Sequence, residues 1–315
     1  MSEKIKMATR EAYGKALAAL ASEMPDLVVL DADLSGSTKT KEFAKVAPDR
    51  FFNCGIAEAD MIGVACGLAS CGKVPFASSF AVFAAGRAFE QIRNSVCYGK
   101  QNVKIAASHA GITVGEDGGT HQAIEDLAIM RSLPGMTVLV PSDWVQTRWA
   151  VRAAAEYKGP VYLRLGRLAA PQVYEEDQRF EWGRGLLVRP GKDIAIFACG
   201  MMVAESLAAA ELLAKEGVDA AVADIHTLKP FDSELVLAEA RACGAALSVE
   251  EHNILGGLGS AVAETLAEAG LGLPFARLGL KDQFGQSGKP AELLRHYGLD
   301  AASIAAQAKA LVARK

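Results

Sequence analysis

The sequence contains no C-x-x-C pair, no H-E-x-x-H, no complete P-loop signature and no convincing nucleophile elbow. Those gaps remove the usual signs of a zinc site, a zinc protease, a P-loop nucleotide hydrolase and an α/β hydrolase. No run of about 18 consecutive apolar residues occurs, and the start, Met1-Ser-Glu-Lys-Ile-Lys, lacks the apolar core of a secretion signal. A soluble, cytoplasmic protein is expected. An excess of positive charge is also missing, because 33 Lys and Arg are set against 37 Asp and Glu for a net charge of -4. Nucleic-acid binding wants a clustered basic surface, so small molecules and other proteins are the expected partners, with no membrane or nucleic-acid role. The six cysteines, Cys54, Cys66, Cys71, Cys97, Cys199 and Cys243, sit in apolar runs and are expected to be buried free thiols of a reducing compartment.

What is present is apolar sequence in short runs: hydrophobic residues make up 51% of 315 positions, enough for two cores. β-branched runs alternate with longer Ala-rich stretches of helical period, which is the pattern of an α/β fold. Strands are predicted at Leu27–Asp31 and at residues 74–78, 103–108, 137–140 and 161–165, with helices over 8–22, 57–70 and 144–157. Strands apolar throughout imply burial on both faces and hence doubly wound, mostly parallel sheets. Residues 171–191 break the pattern with a polar segment and read as a connection between a first unit at 1–170 and a second at 192–315. In the second unit, strands are predicted at 194–199, 222–225 and 245–249 and a helix over 205–215.

Ligands of parallel sheets gather at the carboxyl ends of strands, so polar residues just after the strands are the candidates. Asp33 and Ser37 follow the first strand, Ser79 and Phe80 another, His109 a third, and Arg164 and Arg167 close the last. The segment Gly111-Ile-Thr-Val-Gly-Glu-Asp-Gly-Gly-Thr-His121 is a flexible loop carrying Asp117 and His121, and its glycines let backbone approach a ligand. Two of the five histidines, His109 and His121, fall in this region, and histidine is the side chain best suited to proton transfer near neutrality. Taken singly, Asp117 reads as a turn residue, His109 as a core histidine and Glu58 as a first-turn acid favoured by the helix dipole. Phe76, Phe80, Phe83 and Phe89 suit a packed core equally well. Gly256-Gly-Leu-Gly259 lacks the spacing of a dinucleotide fingerprint, and tight helix packing explains it more simply.

In order along the chain, Gly55-Ile-Ala-Glu58, Ser79-Phe-Ala-Val-Phe83, Ser108-His-Ala-Gly through Thr-His-Gln122, Arg131-Ser-Leu-Pro-Gly-Met and Pro141-Ser-Asp resemble transketolase. The resemblance covers nearly the whole chain and corresponds to that family's pyrimidine-binding and carboxyl-terminal domains. It implies a thiamine diphosphate enzyme that transfers a two-carbon ketol unit between sugar phosphates. The family's Gly-Asp-Gly motif and downstream Asn pair, which hold the diphosphate and Mg2+ or another divalent ion, have no counterpart in the sequence. The resemblance therefore implies an amino-terminal partner subunit, in a two-plus-two heterotetramer, that supplies the metal ligands and further sugar-binding histidines.

Carried over by position, the resemblance makes Glu58 the acid at the cofactor's aminopyrimidine, with Phe80 and Phe83 as its aromatic wall and Asp33 on the cofactor side. One family aromatic falls at Gly86, a gap that Phe89 is positioned to fill. His109 and Asp117 match contacts to the donor sugar, and His121 matches one near the acceptor and the proton relay. Arg167, Arg164 and Ser37 match phosphate contacts, for which a planar guanidinium fork is well shaped. Deoxyxylulose-phosphate synthase, the beta subunit of a 2-oxoacid dehydrogenase and a non-catalytic assembly subunit are the alternatives, as is a transketolase for an unusual sugar phosphate. The Gly-Glu-Asp-Gly-Gly-Thr-His loop and Leu-Pro-Gly-Met favour transketolase over the first two.

Overall fold

The computed structural model describes residues 5–315. The first four, part of the stretch read above for a secretion signal, lie outside the described residues. Strands β1 (Lys6–Ala8), β2 (Leu27–Asp31), β3 (Phe51–Asn53), β4 (Val74–Phe80), β5 (Lys104–Ser108), β6 (Thr137–Leu139), β7 (Val161–Arg164) and β8 (Ala169–Pro171) lie in the first half. The second half contributes β9 (Leu186–Arg189), β10 (Ile194–Ala198), β11 (Ala220–Asp224), β12 (Thr227–Lys229), β13 (Ala246–Asn253) and β14 (Phe275–Leu280).

One large sheet has the order β12-β6-β7-β5-β4-β2-β3 and the other β14-β13-β10-β11-β9. Every pairing within them is parallel except β12 with β6 and β9 with β11. β2, β5, β7, β10 and β11 are buried at each residue, which is why their sequences are mostly apolar, with charged residues only at their ends. The helices Thr9–Leu20, Glu58–Ser70 and Trp144–Glu156 fall where the helical period puts them. Asp143 starts the last of these: one carboxylate oxygen accepts from the Gln146 N–H, and the other accepts from Val173 and Tyr174, tying the connecting segment to the first sheet.

Of the strands that escape the periodicity, two change how the units are joined. β9 lies inside the polar 171–191 connection and adds an antiparallel edge to the second sheet. β12 leaves the second unit to complete the edge of the first sheet beside β6. Each covers only three or four residues and pairs on one side, too little for an apolar period to register. The core follows the same crossing, since one continuous cluster joins Val138 and Tyr162 of the first sheet to Phe197, Ile225 and Leu258 of the second unit.

All six cysteines are free, but only Cys97, Cys199 and Cys243 are buried. Cys71 is exposed because it falls at the end of the helix Glu58–Ser70, where the chain turns into solvent, and Cys54 and Cys66 are half-buried. Among the described residues no helix is long and apolar enough to cross a membrane.

Candidate active site

β4 ends at Phe80 and runs into a helical segment whose turns at Val82–Arg87 are π-helical, a wider winding that recurs at functional sites. This segment presents Phe80, Phe83 and Arg87 toward Glu58, the first residue of the helix Glu58–Ser70. The Glu58 carboxylate is only 1% exposed, and it accepts from the Ser79 hydroxyl at 3.3 Å and from Arg87 Nη1 at 2.6 Å. Arg87 also lies over the Phe83 ring, 4.7 Å from its centroid. Phe83 in turn stacks on Phe80 at 5.9 Å, and the His121 ring meets both edge-on at 5.5 and 6.2 Å.

Beyond Phe80 the chain of contacts continues to His109, whose ring stacks on it at 3.7 Å. His109 has a φ of 58°, a left-handed conformation that a non-glycine residue holds only when its surroundings require it. Those surroundings are two hydrogen bonds to opposite ring nitrogens. Arg10 Nη1 approaches His109 Nε2 at 3.1 Å, and the Ser108 hydroxyl approaches Nδ1 at 2.8 Å. A guanidinium only donates, so Nε2 accepts and the ring proton sits on Nδ1, donating to Ser108. Burial, reinforced by the positive charges of Arg10 and Arg167, holds the His109 pKa down to about 3. The ring is neutral across the physiological range and presents itself as a polar, uncharged contact.

Arg10 also donates to the Ser37 carbonyl at 3.0 Å, which joins the loop after β2 to the loop after β5. Arg167 is partly exposed, held by the Val114 carbonyl and by Glu116 at 3.1 Å, and Asp117 is exposed at the end of the same turn. The structure thus gathers Glu58, Phe80, Phe83, His109, His121, Ser37 and Arg167 along one edge of the first sheet. Asp33 lies at the rim, exposed and bonded to Asn53 at 3.1 Å. Phe89 packs against the core instead of filling the gap at Gly86, and Phe76 is wholly buried behind Tyr13.

Arg164 does not belong to this group. It is buried, its Nε and Nη2 donate to Asp126 at 2.8 and 3.1 Å, and Nη2 also meets the Ala123 and Glu251 carbonyls. These contacts engage Nε and Nη2 within the protein. Arg164 is a strut between the units, whereas Arg167 and Arg10, a residue absent from the sequence candidates, lie beside His109. Arg10 carried a signal: a cation in the first turn of a helix opposes the dipole and wants a reason. Arg87 carried one as well, being the sole charge between Lys73 and Glu90.

The second unit braces the site. Glu251 accepts from the Thr113 N–H at 3.2 Å and from its hydroxyl at 2.8 Å, and Gln122 Nε2 donates to the Gly115 and Gln286 carbonyls. At Gly111, with φ of 79°, a Cβ would stand 2.3 Å from the Glu251 carboxylate, so this glycine is what lets the loop close on its brace. The Gly256-to-Gly259 turn is filled internally, since Glu250 accepts from the Leu258 and Gly259 N–H groups at 2.7 and 2.8 Å.

A buried carboxylate next to an aromatic ring with a flat cation lying on it is a setting for a flat, hydrogen-bonding heteroaromatic ring. Among the described residues, no group of three or more His, Cys, Asp or Glu side chains gathers to hold a metal ion.

Fold and site together define a mostly parallel α/β unit with a buried carboxylate beside aromatic rings, followed by a second α/β unit. Residues 5–172 match the transketolase pyrimidine-binding domain and residues 183–304 the transketolase C-terminal domain. The chain belongs to the transketolase family. It is 51% identical, over 94% of its length and 93% of the relative's, to a protein of Methanocaldococcus jannaschii described as a transketolase C-terminal section. It is 44% identical, over 97% and 95% of the two chains, to a 6-deoxy-6-sulfo-D-fructose transketolase subunit of a Clostridium species. A solved structure described as a split gene transketolase, inactive beta4 tetramer, matches with TM-score 0.91 and 56% identity over 98% of this chain and 99% of that one.

Proposed function

We propose that this chain is the pyrimidine-binding half of a split transketolase, transferring a two-carbon ketol unit from a ketose phosphate to an aldose phosphate. The observation that carries the reading is the continuous row from Glu58 through Phe83, Phe80 and His109 to Arg10 and Ser37. It joins a ring-binding carboxylate at one end to phosphate-binding cations at the other. Thiamine diphosphate, when bound, supplies the carbon that carries the ketol unit. Phe80 and Phe83 hold its pyrimidine ring, Glu58 exchanges a proton with a ring nitrogen, and Asp33 faces the cofactor from the rim. Neutral His109, with Asp117, orients the donor's hydroxyl groups, and His121 serves the acceptor and the proton relay. Arg167, Arg10 and Ser37 take the phosphate. The diphosphate and a divalent ion such as Mg2+ are held by an amino-terminal partner, in a two-plus-two assembly.

The chain alone is expected to transfer no ketol unit. Mixing it with a partner that carries the diphosphate-binding domain should restore turnover dependent on thiamine diphosphate and a divalent ion. Full turnover by the purified single chain would sink the split-enzyme reading. A transketolase for an unusual sugar phosphate is the second reading. Similarity to the sulfofructose enzyme and to one component of an apulose-4-phosphate transketolase of Phocaeicola vulgatus favours it.

Arg167→Ala tests the phosphate site. Phosphate contact is similar in ground and transition states, so its loss should raise KM about tenfold or more and change kcat little. Unphosphorylated donors should be unaffected, and an equal loss for both kinds of donor would remove Arg167 from this role.

A further inference from the structure

We propose that Arg87 is a displaceable stand-in for the cofactor's aminopyrimidine, and that its departure is what allows Glu58 to take up a proton. This rests on the reading of Glu58 and Phe83 as the pyrimidine site. The two contacts Arg87 makes are the two that ring would make: it lies over Phe83, 4.7 Å from the centroid, and it donates to Glu58 Oε2 at 2.6 Å. A guanidinium is flat, delocalised and a good partner for an aromatic face, so it imitates a hydrogen-bonding heteroaromatic ring closely.

Phe83 is shared between Phe80 and Arg87, and a third ring arriving on it must displace one of them. Phe80 is 7% exposed and pinned from behind by His109, whereas the Arg87 side chain is 51% exposed. Arg87 is the one that yields. Its charge passes into water at little cost, and the π-helical turn that carries it stays in place.

The exchange has a proton balance. While Arg87 is bound, it supplies the counter-charge that a carboxylate 1% exposed needs. A neutral pyrimidine nitrogen is an acceptor and gives a carboxylate nothing to bond. Glu58 must therefore gain one proton from solvent as Arg87 leaves, and it then donates that proton to the ring nitrogen. Binding takes up a proton and releases a guanidinium from the site. Between assemblies Arg87 keeps the buried acid charged, paired and closed to other ligands.

The test uses the complex with its diphosphate-domain partner, excess Mg2+ and thiamine diphosphate as the titrant. Affinity is read by protein fluorescence, and proton uptake by calorimetry in buffers of different ionisation enthalpy. Wild type is expected to take up about one proton per site near neutral pH. Arg87→Met keeps the stem but neither charge nor donors, so it should bind about tenfold tighter. Arg87→Lys, which keeps charge without the flat fork, should fall between. Unchanged or weaker binding by Arg87→Met overturns the proposal and leaves Arg87 on Glu58 in the loaded enzyme. Phe83→Ala is the control on the underlying reading. If it weakens binding tenfold or more while Arg87→Met shows no gain, only the stand-in role falls. If Phe83→Ala binds as wild type does, the pyrimidine site itself is misplaced, and the stand-in role goes with it.

Discussion

Glu58→Gln in the assembled complex is expected to cut turnover by about a hundredfold or more, the general scale for a positioned acid-base group. Glutamine keeps the shape and can still accept from Ser79 and Arg87, but it has no proton to exchange with the ring. Folding should change little, because Arg87 is half exposed and water can satisfy the charge it no longer neutralises. Deuterium exchange at the thiazolium carbon of the bound cofactor should slow in parallel with turnover. Exchange at the wild-type rate alongside failed sugar transfer would move Glu58 to a later step.

The second large effect falls on stability. Asp126→Ala leaves the Arg164 guanidinium buried without its counter-charge and strips the Tyr162 hydroxyl of its 2.8 Å acceptor. Removing one partner of a buried pair costs about 3 to 5 kcal/mol, to be read from denaturant unfolding. Replacing both, as Asp126→Leu with Arg164→Met, should recover most of that loss, because no buried charge then remains. A loss under about 1 kcal/mol in Asp126→Ala would show that water reaches Arg164. Burial pushes the Asp126 carboxyl up, but Arg164 beside it outweighs burial and holds its pKa below the ordinary range. A depressed folded pKa means stability that is fully present above the unfolded value, near 3.9, and is lost as pH falls below it. Asp126→Ala should therefore flatten the acid limb of the stability profile below about pH 4.

The parts of the molecule that were legible beforehand are those whose physics is local. β2 and β5 read as buried strands because apolar or small residues dominate them, and Glu58 read as an acid opening its helix. Arg164 and Arg167 were not separable in this way. They are three residues apart, and what distinguishes them is Asp126, brought against Arg164 from 38 residues away. Arg10 was hidden for the same reason, since its partners are the carbonyl of Ser37 and the ring of His109, 27 and 99 residues on. The positive φ of His109 has no trace in the sequence, because a non-glycine residue adopts that conformation only occasionally and distant neighbours decide where. β12 was invisible because its partner belongs to the other unit.

That last crossing bears on how such a chain can be taken apart. The family models leave residues 173–182 between them, which invites the view that the two halves are interchangeable modules. The path of β12 and the grip of Glu251 on Thr113 contradict it. A graft of the first half onto a foreign second half would arrive with a raw sheet edge at β6, an unsupported loop at residues 111–122 and an open seam through its core. Recombination within this chain is therefore confined to swaps that carry both halves together, and redesign of the 111–122 loop has to be done on the intact pair.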